Sequence, residues 1–162
     1  MAKQLIQLNV NGQCHELALE PHWTLSQVLR NQLGLTGTKE ACAEGACGSC
    51  TVIVEGQAVP ACMMLAVEQE GKTIETIEGL SYAGRLHPIQ EAWLQEHGAQ
   101  CGYCSAGMIM STKALLDRNP DPTDAQIKDA LAGNICICSN YEHIITAVGT
   151  AAVMMQRSAE HG

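Results

Sequence analysis

The sequence predicts an α+β chain with a strand-rich first half and a helical second half. Three observations predict this fold class. Apolar and polar residues alternate near the start of the chain, apolar residues recur at helical spacing beyond residue 86, and the nine cysteines are concentrated in a few short stretches of both halves. A chain of 162 residues that is 46% hydrophobic is long enough to bury one or two cores.

A hairpin is predicted at the start of the chain. Residues 3 to 10 alternate with the period of two that is typical of a half-buried strand, and Asn11-Gly12 is a strong short-range signal for a hairpin turn. Residues 13 to 19 return as the second strand, with Leu17 and Leu19 facing inward. Cys14 lies in this strand away from the other cysteines, and we interpret it as a small buried hydrophobic residue.

One helix and further strands are predicted to follow this hairpin. A capping box, Thr24 with Gln27, precedes apolar residues at helical spacing that end at a glycine. Residues 51 to 54 form a β-branched strand that turns at residues 55 and 56, and residues 73 to 77 offer a last strand. A hairpin, a helix packed across it and further strands are the order of elements expected for a β-grasp fold.

A cysteine-rich loop follows this helix. Cys42, Cys47 and Cys50 have the spacing C-x4-C-x2-C, and a further cysteine, Cys62, comes later in the chain. This spacing is the plant-type ligand pattern for a [2Fe-2S] cluster. Three thiolates must converge from one short loop on two iron atoms, so the backbone has to wrap tightly around the cluster.

Two glycines in the loop, Gly45 and Gly48, permit that wrap, because glycine reaches backbone angles closed to other residues and has no Cβ to collide with the cluster. The alternative is a zinc site, since Cys47 and Cys50 also form the C-x2-C pair that zinc ribbons use. Zinc sites of that kind do not need the additional C-x4 arm. The loop therefore favours iron, with zinc as the alternative.

The second half is predicted to contain four helices. Pro88 stands at a first helical position, and Gly98 is expected to end this first helix. The second helix runs from about residue 105 to 118. Capping boxes open the third helix at Thr123 and the fourth at Ser139. Apolar residues line one stripe of the fourth helix, so the four helices are predicted to pack as a bundle.

Four more cysteines precede two of these helices. Cys101 and Cys104 come before the second helix, and Cys136 and Cys138 come before the fourth. The free N–H groups and the positive dipole end of a helix N-terminus favour an anionic thiolate cluster in front of it. Two pairs from two helix starts make a four-thiolate site. Iron-sulfur clusters and zinc both fit such a site, so this half alone does not choose between them.

The cysteine motifs taken together, in their order and with their gaps, resemble the two-cluster small subunit of the molybdenum hydroxylases, the xanthine dehydrogenase and aldehyde oxidoreductase family. The motifs are Cys42-x4-Cys47-x2-Cys50 with Cys62, Leu86-His87-Pro88-Ile89-Gln90, Gln100-Cys101-Gly102-Tyr103-Cys104, Gly107-Met108-Ile109-Met110, and Asn134-Ile135-Cys136-Ile137-Cys138. The resemblance covers nearly the whole chain.

The resemblance implies a domain organisation and two sets of metal ligands. Residues 1–77 resemble a plant-type [2Fe-2S] ferredoxin domain, and residues 86–162 are expected to form a helical [2Fe-2S]-binding domain. Residues 78–85, which contain two glycines and show little periodicity, are predicted to form a linker. The eight implied ligands are Cys42, Cys47, Cys50 and Cys62 for the first cluster, and Cys101, Cys104, Cys136 and Cys138 for the second.

The resemblance also implies a function in electron transfer. In that family a large partner subunit binds molybdopterin, the C-terminal cluster lies nearest to it, and the ferredoxin-like cluster passes electrons onward, commonly to FAD on a third, medium subunit. By motif position, Gln100 and Cys138 would approach the pterin. The substrate class would be an aldehyde or an electron-poor N-heterocycle. Two alternatives are a freestanding soluble two-cluster carrier and a zinc-stapled structural module.

At three positions this sequence differs from the residues that are common in the family. Ile137 stands where Arg is common, Asn140 where Gly is common, and Ala106 where Pro is common. A cation beside a cluster favours its reduced, more negative state. The absence of that cation at Ile137 therefore predicts a lowered reduction potential for the second cluster.

Composition and charge argue against several other classes of function. A net charge of −8 argues against a nucleic-acid binder, and aromatic residues make up only 3% of the chain. We find no apolar run of membrane-spanning length, no phosphate loop and no dinucleotide fingerprint. The histidines are scattered, and His87 and His97 are interpreted as capping or surface groups. Metal-bound, reduced thiols and an opening without a charged and apolar leader predict a cytoplasmic protein.

Overall fold

The computed structural model describes residues 2–160, and the side chains up to residue 158. Five strands lie in the first half and four of the five α-helices in the second. The strands are β1 Gln4–Val10, β2 Gln13–Leu19, β3 Thr51–Val54, β4 Gln57–Pro60 and β5 Thr73–Glu75; the helices are α1 Leu25–Asn31, α2 Pro88–Gln95, α3 Ser105–Leu116, α4 Asp124–Ala130 and α5 Tyr141–Glu160; short 3₁₀ turns cover Ala61–Met63, Ala66–Gln69 and Ile77–Gly79. The α+β class is confirmed.

The five strands form one mixed sheet in the order β2-β1-β5-β3-β4, with β1 and β5 parallel and the other pairs antiparallel. Two tight turns set the registers of its hairpins. Asn11 and Gly12, and likewise Glu55 and Gly56, have positive φ angles, as a type I′ turn requires. Helix α1 packs on one face of this sheet, and Thr24 caps it through the predicted box with Gln27.

Cys14 is exposed, and the prediction that it is buried was wrong. In β2, side chains of odd-numbered residues from His15 to Leu19 turn toward the core, whereas the even-numbered ones face solvent. Side chains alternate across a strand, so the inward placement of Leu17 and Leu19 already puts position 14 on the outer face. The alternation of inward and outward positions in this strand therefore already indicated in the sequence that Cys14 is exposed.

The second core lies among helices α2 to α5. It includes Ile89 and Trp93 of α2, Met108 of α3, Ile127 of α4 and Ile144 of α5, all buried. The expected four helices are therefore present and share one core. Helix α4 opens with the predicted capping box, in which the Thr123 side chain accepts from the backbone N–H of Gln126.

Two helix ends differ from the sequence prediction. Helix α2 ends through His97, which has a φ of 54°, and the Gly98 N–H then donates to the Trp93 carbonyl at 2.8 Å. The left-handed residue is thus His97, and a Cβ at Gly98 would lie in tight contact with the Trp93 ring, at 3.0 Å. At the start of α5, the first helical bond runs from Ile144 N–H to the Asn140 carbonyl, so the helix begins after Asn140 and Ser139 lies outside it.

Strand β3 joins the two halves, because all four of its residues are buried. Val52 and Val54 belong to the core beneath α1, whereas Ile53, 1% exposed, belongs to the core of the helices. Alternation across the strand thus sends neighbouring side chains into two different cores. The sheet is thereby covered by helices on both faces at this strand.

Residues 78–85 connect the two halves but are not free of contacts. Leu80 is buried in the core of the helices, and Tyr82 and Arg85 exchange two backbone hydrogen bonds around a turn at Ala83 and Gly84. The domain bounds at 77 and 86 stay a prediction. Of the helices within residues 2–160, none has the length and apolarity needed to cross a membrane.

Candidate metal centres

The first cysteine loop lies between α1 and β3, and the β3–β4 hairpin completes it. Cys50 is the residue before β3, and Cys62 lies in the 3₁₀ turn directly after β4. The hairpin places these two cysteines side by side, because the Ala61 N–H donates to the Cys50 carbonyl at 3.2 Å. Cys50 and Cys62 are buried, whereas Cys42 and Cys47 are half-buried.

The four thiols of this loop meet as two pairs. The Cys42 thiol lies next to the Cys47 thiol, and the Cys50 thiol lies next to the Cys62 thiol. The backbone N–H of Glu44, followed by the Cys47 thiol, lowers the pKa of Cys42 to about 7. Burial, together with the neighbouring Cys62 thiol, raises the pKa of Cys50 to about 12. The Cys42–Cys47 pair is thus within reach of backbone N–H donors, whereas the Cys50–Cys62 pair is shielded from water.

Gly45 and Gly48 lie inside this loop with φ angles of +77° and +67°. L-residues rarely adopt these angles. A Cβ at Gly45 would lie 2.8 Å from Cγ of Met63, and one at Gly48 would lie 2.3 Å from the Gly133 carbonyl oxygen. Backbone conformation and close packing therefore both select glycine at these positions.

The second group of cysteines lies at the N-termini of two helices. Cys104 directly precedes α3, and Cys138 precedes α5 by three residues. Cys101 is exposed, Cys136 is buried, and the other two are intermediate. Two chain segments far apart in sequence thus meet at one place, as the helix starts predicted.

These four thiols also meet as two pairs, Cys101 with Cys138 and Cys104 with Cys136. The backbone N–H of Tyr103, followed by the Cys138 thiol, lowers the pKa of Cys101. Burial, and then the Cys136 thiol, raises the pKa of Cys104 to about 12. The second group therefore repeats the division of the first, with one accessible pair and one shielded pair.

The pairing of the thiols fits a two-iron cluster. A [2Fe-2S] cluster takes four cysteines, two at each iron, whereas structural zinc requires four ligands around a single ion. Within residues 2–160, no three or more His, Cys, Asp or Glu side chains come together around one ion position. Each group offers four thiols in two adjacent pairs, a donor set that is compatible with a [2Fe-2S] cluster.

Of the two residues predicted to approach a pterin, Cys138 belongs to the second group and Gln100 directly precedes Cys101 of that group. Gln100 is exposed, and its side-chain amide donates to Oδ1 of Asn140 at 3.2 Å. Asn140 is itself buried and donates to the His97 carbonyl at 2.9 Å. Asn140 thus connects the Gln100 side chain to His97, just after the end of α2. The role of Gln100 toward a pterin stays a prediction.

Comparisons with known proteins agree with this geometry. Residues 8–81 match the family described as 2Fe-2S iron-sulfur cluster binding domain, and residues 76–149 match the family described as [2Fe-2S] binding domain. The chain is 47% identical to the nicotinate dehydrogenase small FeS subunit of Eubacterium barkeri, over 91% of this chain and 94% of that protein.

A second relative, the nicotine 6-hydroxylase small subunit of Paenarthrobacter nicotinovorans, is 44% identical over 88% of this chain and 86% of its own length. The chain belongs to the family of small iron-sulfur subunits of molybdenum hydroxylases. The crystal structure of the aldehyde oxidoreductase from Desulfovibrio desulfuricans contains a similar fold, with a TM-score of 0.91 and 40% identity over 96% of this chain and 17% of that one. Members of this family are iron-sulfur parts of oxidoreductases, and two [2Fe-2S]-binding regions lie in this one.

Sequence reasoning about this family member missed the polar residues that join its two cysteine groups. The Tyr103 hydroxyl donates to the Glu40 carbonyl at 2.7 Å, and Nδ2 of Asn134 donates to the Gly48 carbonyl at 3.0 Å. Both contacts span more than sixty positions, 63 and 86 respectively. Local pattern carries no information about such contacts; an asparagine between a helix end and a C-x-C pair was the one available signal.

Proposed function

We propose that this chain is the electron-transfer subunit of a molybdenum-containing hydroxylase or dehydrogenase. The first cluster is held by Cys42, Cys47, Cys50 and Cys62, and the second by Cys101, Cys104, Cys136 and Cys138. The observation that carries the proposal is the meeting of these eight thiols as two sets of two pairs. When bound, each cluster supplies a one-electron redox centre.

The chain's own residues supply placement and shielding for the two centres. Backbone N–H groups of the first loop, from Glu44, Cys47 and Ala46, point toward the Cys42 sulfur and stabilise its anionic form. Such hydrogen bonds also tune the reduction potential of a cluster. The buried sulfurs of Cys50 and Cys62 keep water from one side of the site. Metal binding displaces the thiol protons, so loading of both centres releases protons.

The proposal includes partner subunits. A large subunit would hold molybdopterin near Gln100 and Cys138, and a medium subunit would hold FAD and accept electrons from the first cluster. Nicotinate, named for the Eubacterium barkeri relative, is an N-heterocyclic acid, which supports an N-heterocycle as substrate, with an aldehyde as the alternative class. The two-domain division at residues 78–85 and a cytoplasmic location belong to the same proposal.

Iron content and electron paramagnetic resonance test the proposal. Anaerobically purified chain is expected to contain four irons, two for each of its two clusters, and to show two distinct paramagnetic species after reduction. Cys62→Ser should remove or alter one species and Cys136→Ser the other. Cys14→Ser, at an exposed cysteine outside both groups, is the matched control and should change neither. Zinc in place of iron, or a single species, would contradict the ligand assignment.

The size of the native assembly tests the partner part separately. A subunit that is permanently bound to its partners should leave a gel-filtration column, loaded with native extract, in a large complex that also contains molybdenum. Elution at the 17.3 kDa expected for the chain alone would instead indicate the freestanding carrier. The ligand assignment would survive that result.

A further inference from the structure

A buried serine hydroxyl faces the sulfur of one proposed ligand of the first cluster. Ser49 lies in the first cysteine loop, between Gly48 and Cys50, and is 4% exposed. The Cys47 thiol donates to the Ser49 hydroxyl oxygen at 3.6 Å, a length that the large sulfur atom permits. The hydroxyl is therefore shielded from water and has a sulfur atom as its partner.

Helix α3 and a tight turn hold the backbone around Ser49 in place. A Cβ added at Gly107 of α3 would lie 3.1 Å from Cα of Ser49 and 2.2 Å from the Gly48 carbonyl oxygen, so the helix packs directly on this part of the loop. The backbone N–H and the hydroxyl of Thr51 both donate to the same Gly48 carbonyl, at 3.1 Å and 2.7 Å. The position of Ser49 is thus set by contacts that do not involve a metal.

Cluster binding reverses the direction of the hydrogen bond between Ser49 and Cys47. A cysteine that ligates iron is a thiolate, which has no proton to donate and can accept. A serine hydroxyl has one proton and two lone pairs, and its proton rotates to suit the partner. Oγ of Ser49 is therefore the donor, and Sγ of Cys47 the acceptor, once Cys47 is a ligand.

We propose that Ser49 is a positioning residue that acts through Cys47: its hydroxyl donates to the ligand sulfur and raises the reduction potential of the first cluster. The inference rests on the ligand set given under the proposed function. Reduction adds one electron to the cluster, and a hydrogen bond to a ligand sulfur stabilises the more negative state that results. No bond breaks, and the hydroxyl proton stays on Ser49.

The burial of Ser49 increases this effect, and the effect favours one direction of electron flow. A hydrogen bond is electrostatically stronger away from water than in contact with it. In the proposed function the second cluster gives its electron to the first. Ser49 raises the potential of the acceptor, and the predicted effect of Ile137 is to lower the potential of the donor. Both residues therefore widen the difference in potential that drives the transfer.

The experiment compares variants of the full chain, purified anaerobically with its clusters. Ser49→Ala removes the hydroxyl, and Ser49→Thr is the conservative variant that keeps it. Ser105→Ala makes the same change directly after Cys104, in the second group, and is the matched control. Iron content and both midpoint potentials are measured for each variant. Pulsed electron paramagnetic resonance of the reduced chain in H2O and in D2O detects exchangeable protons close to each cluster.

Ser49→Ala is expected to shift the redox equilibrium of the first cluster about tenfold toward the oxidised form, which is a fall of about 59 mV for a one-electron couple. It should also remove one exchangeable-proton coupling from the signal of the first cluster. Ser49→Thr should restore both, and Ser105→Ala should leave the first cluster as in the wild type. A purely structural role of Ser49 would lower stability or iron content and change neither the potential nor the coupling.

Three results would overturn the inference. They are an unchanged first potential in Ser49→Ala with full iron content, a fall in that potential without loss of the proton coupling, and an equal fall in Ser105→Ala. If Ser49→Ala does not retain its iron, Ser49→Gly, which also lacks the hydroxyl, decides. A wild-type chain without two clusters would instead refute the proposed function, which iron analysis shows before any potential is measured.

Discussion

At the scale of single residues, Gly48 is constrained both by a positive φ angle and by close packing, whereas Gly34 has only the positive φ angle. Its φ of +67° is close to the +69° of Gly34, but only Gly48 is closely packed. A Cβ at Gly48 would meet the Gly133 carbonyl oxygen at 2.3 Å, whereas a Cβ at Gly34 has no atom within 4 Å. The two positions therefore distinguish backbone strain from loop contact.

We predict that Gly48→Ala destabilises the chain far more than Gly34→Ala. Both changes impose a left-handed alanine, at about 1–2 kcal/mol, and only Gly48→Ala also separates the two cysteine loops. Chemical denaturation gives the free energies of unfolding, and iron analysis gives cluster loading. Equal losses of stability in the two variants would show that packing against Gly133 contributes nothing.

Ile137 is the residue at which charge near the second group can be changed with little structural cost. Its side chain is 90% exposed although it lies between Cys136 and Cys138. We predict that Ile137→Arg raises the midpoint potential of the second cluster by about 10–40 mV, the equivalent of roughly 0.2–1 kcal/mol for an exposed charge interaction. The physical reason is that a cation stabilises the more negative, reduced state.

Redox titration followed by electron paramagnetic resonance measures this shift. Leu94→Arg is the control, since Leu94 is also exposed but lies on α2. It adds the same charge on α2, outside the cysteine loops, and should leave both potentials in place. No rise in Ile137→Arg, or an equal rise in Leu94→Arg, would contradict a local effect.

At the scale of elements, helix α2 begins with a titratable cap. Nδ1 of His87 accepts from the Ile89 N–H at 3.3 Å, and the Gln90 side chain accepts from the His87 N–H at 2.9 Å. Burial, and then the positive charge of Lys113, lowers the pKa of His87 from its ordinary value of 6.5. A protonated ring could not accept from Ile89, so the cap works with neutral histidine.

This lowered pKa predicts the direction of a pH effect. Between the lowered folded value and 6.5 the unfolded chain binds the proton more readily, so the contribution of His87 to stability is complete above 6.5 and falls as the pH drops. Asparagine is a good N-cap that does not titrate, so the melting temperatures of wild type and His87→Asn should be similar at neutral pH, and that of wild type should fall below that of the variant in acid. Thr123→Asn, at the cap of α4, should leave the pH slope of the wild type unchanged.

At the scale of the whole molecule, contacts between distant segments hold the two halves together. Ile53 of β3 inserts into the core of the helices, the Tyr103 hydroxyl binds the Glu40 carbonyl, and Asn134 binds Gly48. The connection at residues 78–85 contributes one further buried side chain, Leu80. Covalent continuity through this segment is therefore not what positions one cysteine group against the other.

We predict that a chain cut in this connection stays assembled. Limited trypsin digestion at Arg85, which is exposed, should give two fragments that elute together in native gel filtration and separate only in denaturant. Ile53→Ala should weaken their association, since removing a buried isoleucine side chain costs about 2–5 kcal/mol. Separation of the wild-type fragments under native conditions would show that the contacts between the halves are too weak to hold them together.

Local signals predicted most elements of the fold because short-range physics fixes them. The Asn-Gly turn, the capping box at Thr24 and the C-x4-C-x2-C spacing each act within a few residues. Helix ends were less predictable. His97 takes the left-handed position that a glycine was expected to fill, and Asn140 precedes α5 where Ser139 was expected, because contacts with Trp93 and Gln100 decide these ends.

The sequence by itself determined which residues are cysteine, how they are spaced and which helices begin beside them, and these facts were enough to predict two metal centres. Only the tertiary structure decided which thiols pair, how β3 divides its side chains between two cores, and that Asn134 and Ile135 bind the loop of Cys47 and Gly48. The physical reason is separation along the chain. The spacing of residues within a loop is visible in a short stretch of sequence, whereas a hydrogen bond between residues 48 and 134 forms only once both halves have folded.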